Sequence, residues 1–246
     1  MANPVVLTDA VIWYGGYDLS GASNEITMNA ARQENADSRF SDTIEAVYPG
    51  PLTVAVEAKG LWDSTLDGPQ FTQLTAPSTS WPLVIAPTGA DDSEVAWSLR
   101  AYSFNYSAFE TAWGDVLPYR LSAKSQSGGY LGRGRVMLPK AAYTATADGT
   151  KYQLGAVSAT QKLIATLHVF SAVTGTWDFD IESDADASAG GETTRGSFTQ
   201  VAAASGPTQQ VVEIAGPITD TYWVVEMTET APGGITCAIT YAIVEA

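Results

Sequence analysis

Cysteine and histidine are almost missing from this chain, with Cys237 and His168 the single examples of each in 246 residues. One thiol cannot close an intramolecular disulfide, so the fold is not a disulfide scaffold and nothing requires an oxidising compartment. Cys237 reads as a small apolar strand residue. One histidine and one cysteine also exclude a tetrahedral zinc site of the usual nitrogen and sulfur ligands within one chain. His168 sits between Leu167 and Val169 in an apolar run and reads as a packed strand residue rather than a general base. The G-x-S-x-G, H-E-x-x-H and Walker A patterns do not occur. The expectation is a protein that is not an enzyme, with no catalytic residue, no cofactor and no metal site.

Charge is scarce too, at 16% of residues, and bases are the scarcer sign, 12 against 27 acids for a formal net charge of −15. Both halves are acidic, so the surplus is not a tail effect. The sign argues against wrapping duplex DNA, which needs clustered Lys and Arg. So few charges leave much surface to Ser, Thr, Gly, Ala and aromatics, as where neighbouring subunits cover large areas. No apolar run approaches the ~18 residues of a membrane span. The start, Met1-Ala2-Asn3-Pro4, has no basic and apolar leader, so synthesis in the cytoplasm is expected.

What is present is period-two alternation bounded by Gly, Pro, Asn and Asp, with no long 3.6-period stripe, which predicts an all-β protein. Residues 5–14 make a first strand. Residues 24–30 set Ile26 and Met28 against Glu25, Thr27 and Asn29, and residues 52–60 set Leu52, Val54 and Val56 against Thr53, Glu57 and Lys59. These two strands are expected to pair. The segment 31–51 between them is charged through Arg32, Glu34, Asp37, Arg39, Asp42 and Glu45 yet holds Phe40, Ile44, Val47 and Tyr48. A connection this long is commonly functional; it reads either as a solvated excursion with a short helix near 41–47 or, as its aromatic and aliphatic residues favour, as an arm that becomes ordered on a neighbouring subunit. Residues 66–87 read as irregular chain with short strands, and 94–106 with 118–126 as a second strand pair. Ser125-Gln126-Ser127-Gly128-Gly129 is the best linker, dividing the chain into domains 1–128 and 129–246. The second half carries strands over 130–138, 156–171, 176–183, 197–202, 210–214, 220–229 and 235–244 at sandwich-like spacing.

Three further features invite function. Asp178, Asp180, Glu182, Asp184 and Asp186 suggest calcium, but an EF-hand loop from Asp178 would need glycine where Ser183 stands and glutamate where Ala189 stands. A strand with its acidic face in water is the simpler account, and weak calcium binding stays open. Gly132-Arg133-Gly134-Arg135 is too short for a basic patch, and its glycines are expected to bend a strand. Trp81, Trp97, Trp113, Trp177 and Trp223 suit core or subunit contacts.

The turn Asp18-Leu19-Ser20-Gly21-Ala22-Ser23-Asn24, then Arg39-Phe40-Ser41-Asp42-Thr43, then Pro49-Gly50 and Gly60-Leu61-Trp62-Asp63, resembles the tail tube proteins of long-tailed, siphovirus-type bacteriophages. Leu154 to Ala159, Leu167-His168-Val169 and Ala215 to Trp223 resemble that family's C-terminal extension. The resemblance implies a tail-tube-like β-sandwich or barrel subunit followed by an outward-facing second β-sandwich. Such subunits assemble into hexameric rings that stack into a conduit for the genome. An inter-ring loop is implied at Arg32, Glu34, Asp37, Arg39, Phe40, Asp42 and Glu45, and barrel strands at the two strand pairs. Implied partners are further copies of the chain, with tape measure, terminator and baseplate components. Viral DNA passes without specific binding, no membrane is involved, and the location is the virion tail.

The polar row Glu25, Thr27, Asn29, Thr53, Glu57 and Lys59 is the candidate lumen face. An acidic bore would keep DNA mobile by like-charge repulsion, although Lys59, Arg120 and Lys124 offset it. A head decoration or cement protein and a carbohydrate-binding adhesion module are the alternative functions.

Overall fold

A computed structural model describes residues 9–36, 47–75, 79–112, 114–188, 190–202 and 206–246. In chain order the elements are β1 (Val11–Tyr14), β2 (Tyr17–Asp18), β3 (Ser23–Ala36), β4 (Val47–Leu61), α1 (Ser64–Thr75), β5 (Trp81–Ala86), β6 (Val95–Ala108) and β7 (Pro118–Ser125). There follow β8 (Leu131–Tyr143), β9 (Ala147–Asp148), β10 (Tyr152–Gln153), β11 (Gln161–Asp184), β12 (Thr193–Ser197), β13 (Thr208–Ala215) and β14 (Tyr222–Glu245). The protein is all-β apart from α1.

The chain forms two compact units, one of Met1–Gly21, Trp81–Arg100 and Tyr130–Ala246, the other of Ala22–Ser80 and Ala101–Gly129. Composition pointed to a division at 128/129, and a junction does fall at Gly129/Tyr130. The first unit, however, also takes in the chain's start and residues 81–100, because β1, β5 and the first part of β6 share a sheet path with β8 and β14. Long-range strand pairing, which composition does not reveal, sets the partition.

In the first unit the strands run β12-β11-β14-β8-β6-β5-β1-β2, with β13 added to β11 and β9 and β10 to β14. Its backbone is the antiparallel pairing of β11 with β14, from Gln161 opposite Glu245 to Asp184 opposite Tyr222. Neither strand is straight. The Tyr241 hydroxyl donates to the Val224 carbonyl of the same strand at 3.3 Å, whereas 17 extended residues would span roughly 55 Å. The bend coincides with register shifts between Val169 and Trp177, as bulges allow. Gly175 lies there at φ 84°, and a Cβ on Gly233 would strike the Thr174 carbonyl, so glycine is required at this corner. The sequence breaks at 172–175 and 230–234 are therefore corners within two strands, not loops between four.

Folding back brings both halves of β11 and β14 around one core, including Leu163, Leu167, Val169, Trp177, Phe179 and Trp223. Cys237 is fully buried in it, and burial pushes its thiol pKa up, so it is an apolar core residue as expected. The glycines of the G-R-G-R segment serve a different purpose from the expected bend. A Cβ on Gly132 would collide with the Ala242 side chain, and one on Gly134 with the Tyr241 carbonyl. They let β8 approach β14.

In the second unit the order is β3-β4-β7-β6, from Ser23 opposite Gly60 to Ala36 opposite Val47, then Leu61 opposite Pro118, then Ala108 opposite Tyr119. Both expected strand pairs form, and β4 pairing with β7 joins them. Two expectations are corrected. The excursion between β3 and β4 does not start at residue 31, since both strands run on to Ala36 and Val47. Residues 64–75 are helical rather than irregular, starting where Asp63 accepts hydrogen bonds from the Thr65 amide (2.8 Å) and hydroxyl (2.7 Å), a capping arrangement.

The close approach at Gly134 predicts that Gly134→Val costs about 1–3 kcal/mol by overpacking. Gly21→Ala, with open space around it, should leave stability within about 0.5 kcal/mol. Urea unfolding midpoints of the two variants check this.

Candidate functional site: the four-stranded sheet of the second unit

Pleating divides this sheet into two faces. Val54, Val56, Ala58, Tyr119, Leu121, Ala123 and Ala101 are buried on one. The other presents rows set by register: Glu25, Lys59, Arg120 and Ser107; then Thr27, Glu57, Ser122 and Asn105; then Asn29, Ala55, Lys124 and Tyr102; and Ala31 opposite Thr53. All six residues named for a lumen, Glu25, Thr27, Asn29, Thr53, Glu57 and Lys59, thus share one face, each exposed or half-buried. Strand alternation alone made this legible.

The bases expected to offset an acidic bore are on that face as well. Its rows carry Glu25 and Glu57 against Lys59, Arg120 and Lys124, so the face is mixed rather than acidic. The Lys59 ammonium donates to Glu25 at 2.6 Å, an exposed pair worth ~0–1 kcal/mol. Lys124 lies over the ring of Phe104, 5.5 Å from its centroid. Lys59 and Arg120 stand side by side in the first row, with Glu25 beyond Lys59, and Lys124 has no acid in its row.

Beyond Asn29 the β3–β4 ribbon is exposed on both faces: residues 29–35 are all exposed, and so are 47–53 except Gly50. Arg32 folds back to donate to the Gly50 carbonyl at 3.2 Å, and Glu34 stands opposite Pro49, exposed. Asp37, Arg39, Phe40, Asp42 and Glu45 lie outside the described residues, as does the short helix expected near 41–47 except for Val47, which begins β4.

Among the described residues the large apolar side chains left exposed are Val47, Tyr48, Leu52, Leu61, Phe71, Phe104, Phe109 and Val116. Every one belongs to the second unit. They gather at the ribbon (Val47, Tyr48, Leu52) and at the opposite end of the strands (Leu61, Phe109, Val116), where the Trp62 ring packs 5.2 Å from Phe109. Sequence reading named Val47, Tyr48, Leu52 and Leu61 but not their exposure.

Elsewhere the chemistry is structural. His168 is wholly buried, its Nδ1–H donating to the Gly15 carbonyl and its ring 5.7 Å from Trp13. Burial lowers its pKa to about 4, the carbonyl opposing. The acidic run of β11 is engaged rung by rung. Gln200 donates to Asp178 at 2.9 Å, the Ser197 hydroxyl to Asp180, the Thr194 hydroxyl to Glu182 at 3.1 Å, and Lys151 to Asp184 at 2.8 Å. The hydrogen bond from Lys151 leads in holding the Asp184 carboxyl below its usual pKa. Asp186 caps the Ser188 amide at 2.8 Å. Trp177 and Trp223 are core; Trp81 stacks on Tyr17 at 6.0 Å and Trp97 meets Arg133 at 6.0 Å. Trp113 lies outside the described residues.

No family model and no curated protein sequence matches the chain. Among solved structures it is similar to a chain of the virion of a native gene transfer agent particle, at 10% identity and TM-score 0.42 over 53% of this chain and 98% of that one. It is also similar to the SPP1 Dit protein, titled a paradigm of the hub adsorption apparatus in phages infecting Gram-positive hosts, at 9% identity and TM-score 0.38 over 96% and 99%. A third is the SPP1 tail tube, at 11% identity and TM-score 0.39 over 52% and 78%.

Burial of His168 gives a pH prediction. Its folded pKa of about 4 lies below the ordinary 6.5, so between those values the unfolded chain takes up a proton that the folded chain refuses. Stability is full above pH 6.5 and falls as pH drops towards 4, by about 3 kcal/mol in all. Urea unfolding at pH 7.5 and 4.5 should show the native chain losing that much more than His168→Gln; equal losses would contradict it.

Proposed function

We propose that the chain is a structural subunit of a phage-type tail tube, without enzymatic activity, that assembles through its second unit into hexameric rings stacked as a conduit for DNA. The observation that carries this reading is the location of every large exposed apolar side chain, among the described residues, on that one unit. A two-stranded ribbon wet on both faces is marginally stable alone, and exposed aromatics and aliphatics concentrated on one element mark an interaction surface. The surface favours copies of the chain as partners because β3 has only β4 as strand partner among the described residues, and a long open edge invites another strand.

In this assembly the face bearing Glu25, Thr27, Asn29, Thr53, Glu57 and Lys59 lines the bore. DNA slides past because each base on it has an acid or a polar residue beside it, so few counterions are released on contact. Arg32 and Glu34, with Asp37, Arg39, Phe40, Asp42 and Glu45, carry the ring-to-ring contact. The first unit faces outward as a second β domain, the tube contacts terminator, tape measure and baseplate components, and the location is the virion tail.

Negative-stain microscopy of the purified chain should show rings or tubes as concentration rises. The double variant Val47→Asp/Leu52→Asp, which alters the ribbon and leaves the β3 edge intact, should form single rings that do not stack, with an unchanged far-UV circular dichroism spectrum. A native chain that is monomeric at every concentration would contradict the reading.

A further inference from the structure

A cavity of about 260 Å³ opens at the end of the four-stranded sheet remote from the ribbon, and its lining includes Leu61, Pro118, Tyr119, Lys59, Arg120 and Glu110. It is smaller than the ~300–1,000 Å³ typical of small-molecule sites, and its size suits one large side chain. One wall is apolar, from Leu61 and Pro118, and the rim is charged. Leu61 is 52% exposed, an aliphatic side chain at the mouth of a cavity with nothing over it.

At the other end of the same strands Tyr48 is 57% exposed. An apolar ring with a polar tip matches a pocket with an apolar wall and a charged rim. Exposed Glu34 lies one rung from Tyr48 across the ribbon, with Asn35 opposite Tyr48 and Glu34 opposite Pro49; Arg120 on the cavity rim is the base that suits it, since Lys59 there is already paired with Glu25 at 2.6 Å and Glu110 is a second acid of the lining. The fourteen-residue run of β4 from Tyr48 to Leu61, thirteen rises at about 3.3 Å each, spans about 43 Å, so ring and pocket cannot meet within one chain.

We propose that the Leu61–Pro118 pocket is the receiving site for Tyr48 of a second copy, with Glu34 of that copy against Arg120. This rests on the tube reading and identifies both halves of its stacking contact. Ribbon and pocket are different surfaces at opposite ends of one sheet, so the contact is head-to-tail. Such a contact propagates along the strand direction without closing. Lateral pairing at the β3 edge is separate from it, and the two contacts can therefore be lost independently.

The test uses two single variants of the full chain, Tyr48→Asp and Leu61→Asp, examined by negative-stain microscopy and analytical ultracentrifugation. Each alone should give single rings and no tubes. Mixed in equal amounts they should give two-ring stacks, because one supplies intact pockets and the other intact ribbons, with particle mass doubling and growth stopping there. Normal tubes from Leu61→Asp, or mixtures that remain single rings, would overturn the pocket assignment while leaving the tube reading intact; absence of any ring from the native chain would instead overturn the tube reading. A second variant guards against misfolding: Tyr48→Cys/Leu61→Cys tubes, oxidised, should give a ladder of cross-linked chains on a denaturing gel. Tubes of that variant without a ladder would refute the proposal.

Discussion

The outer edge of β3 is the constraint on which the second unit turns. Over fourteen residues this strand is held from one side by β4, with no other strand partner among the described residues. A strand in that position in an ordinary domain is kept short, bulged or masked with charge. Here it is long, and where it outruns the rest of the sheet its ribbon is wet on both faces and carries Val47, Tyr48 and Leu52. The first unit has no comparable need. Its two longest strands fold back on themselves at Gly175 and Gly233, and bury Trp13, Trp177 and Trp223.

That contrast explains what the sequence made legible. Alternation at 24–30 and 52–60 located the sheet and its polar face because one face of those segments is buried, and burial is what writes a period of two. The same strands beyond residue 30 and before residue 52 have no buried face. They carry no alternation, and Pro49-Gly50-Pro51 reads as a break, so the ribbon was mistaken for loop. α1 was missed for a related reason, as it has no apolar stripe. Corners in β11 and β14 read as gaps because bulges and glycines interrupt the pattern at a bend as they do at a turn. The grouping of residues 1–21 and 81–100 with 130–246 depends on pairing between distant segments, which no local pattern records.

A net −15 describes the chain and not any one face. On the polar face Lys59, Arg120 and Lys124 answer Glu25 and Glu57, the offset that strand alternation already pointed to, so the face is mixed in charge rather than acidic. The acids of the Asp178–Asp186 run are drawn into hydrogen bonds with Gln200, Ser197, Thr194 and Lys151, which gives them a structural role in joining β11 to its neighbours.

The central claim is that assembly covers the second unit and leaves the first outside. Hydrogen–deuterium exchange of the monomeric and assembled chain measures this directly, amide by amide. The account predicts strong new protection across 25–36 and 47–53 on assembly, with β11 and β14 little changed. New protection confined to the strands of the first unit, with 25–36 and 47–53 exchanging as fast as in the monomer, would contradict it.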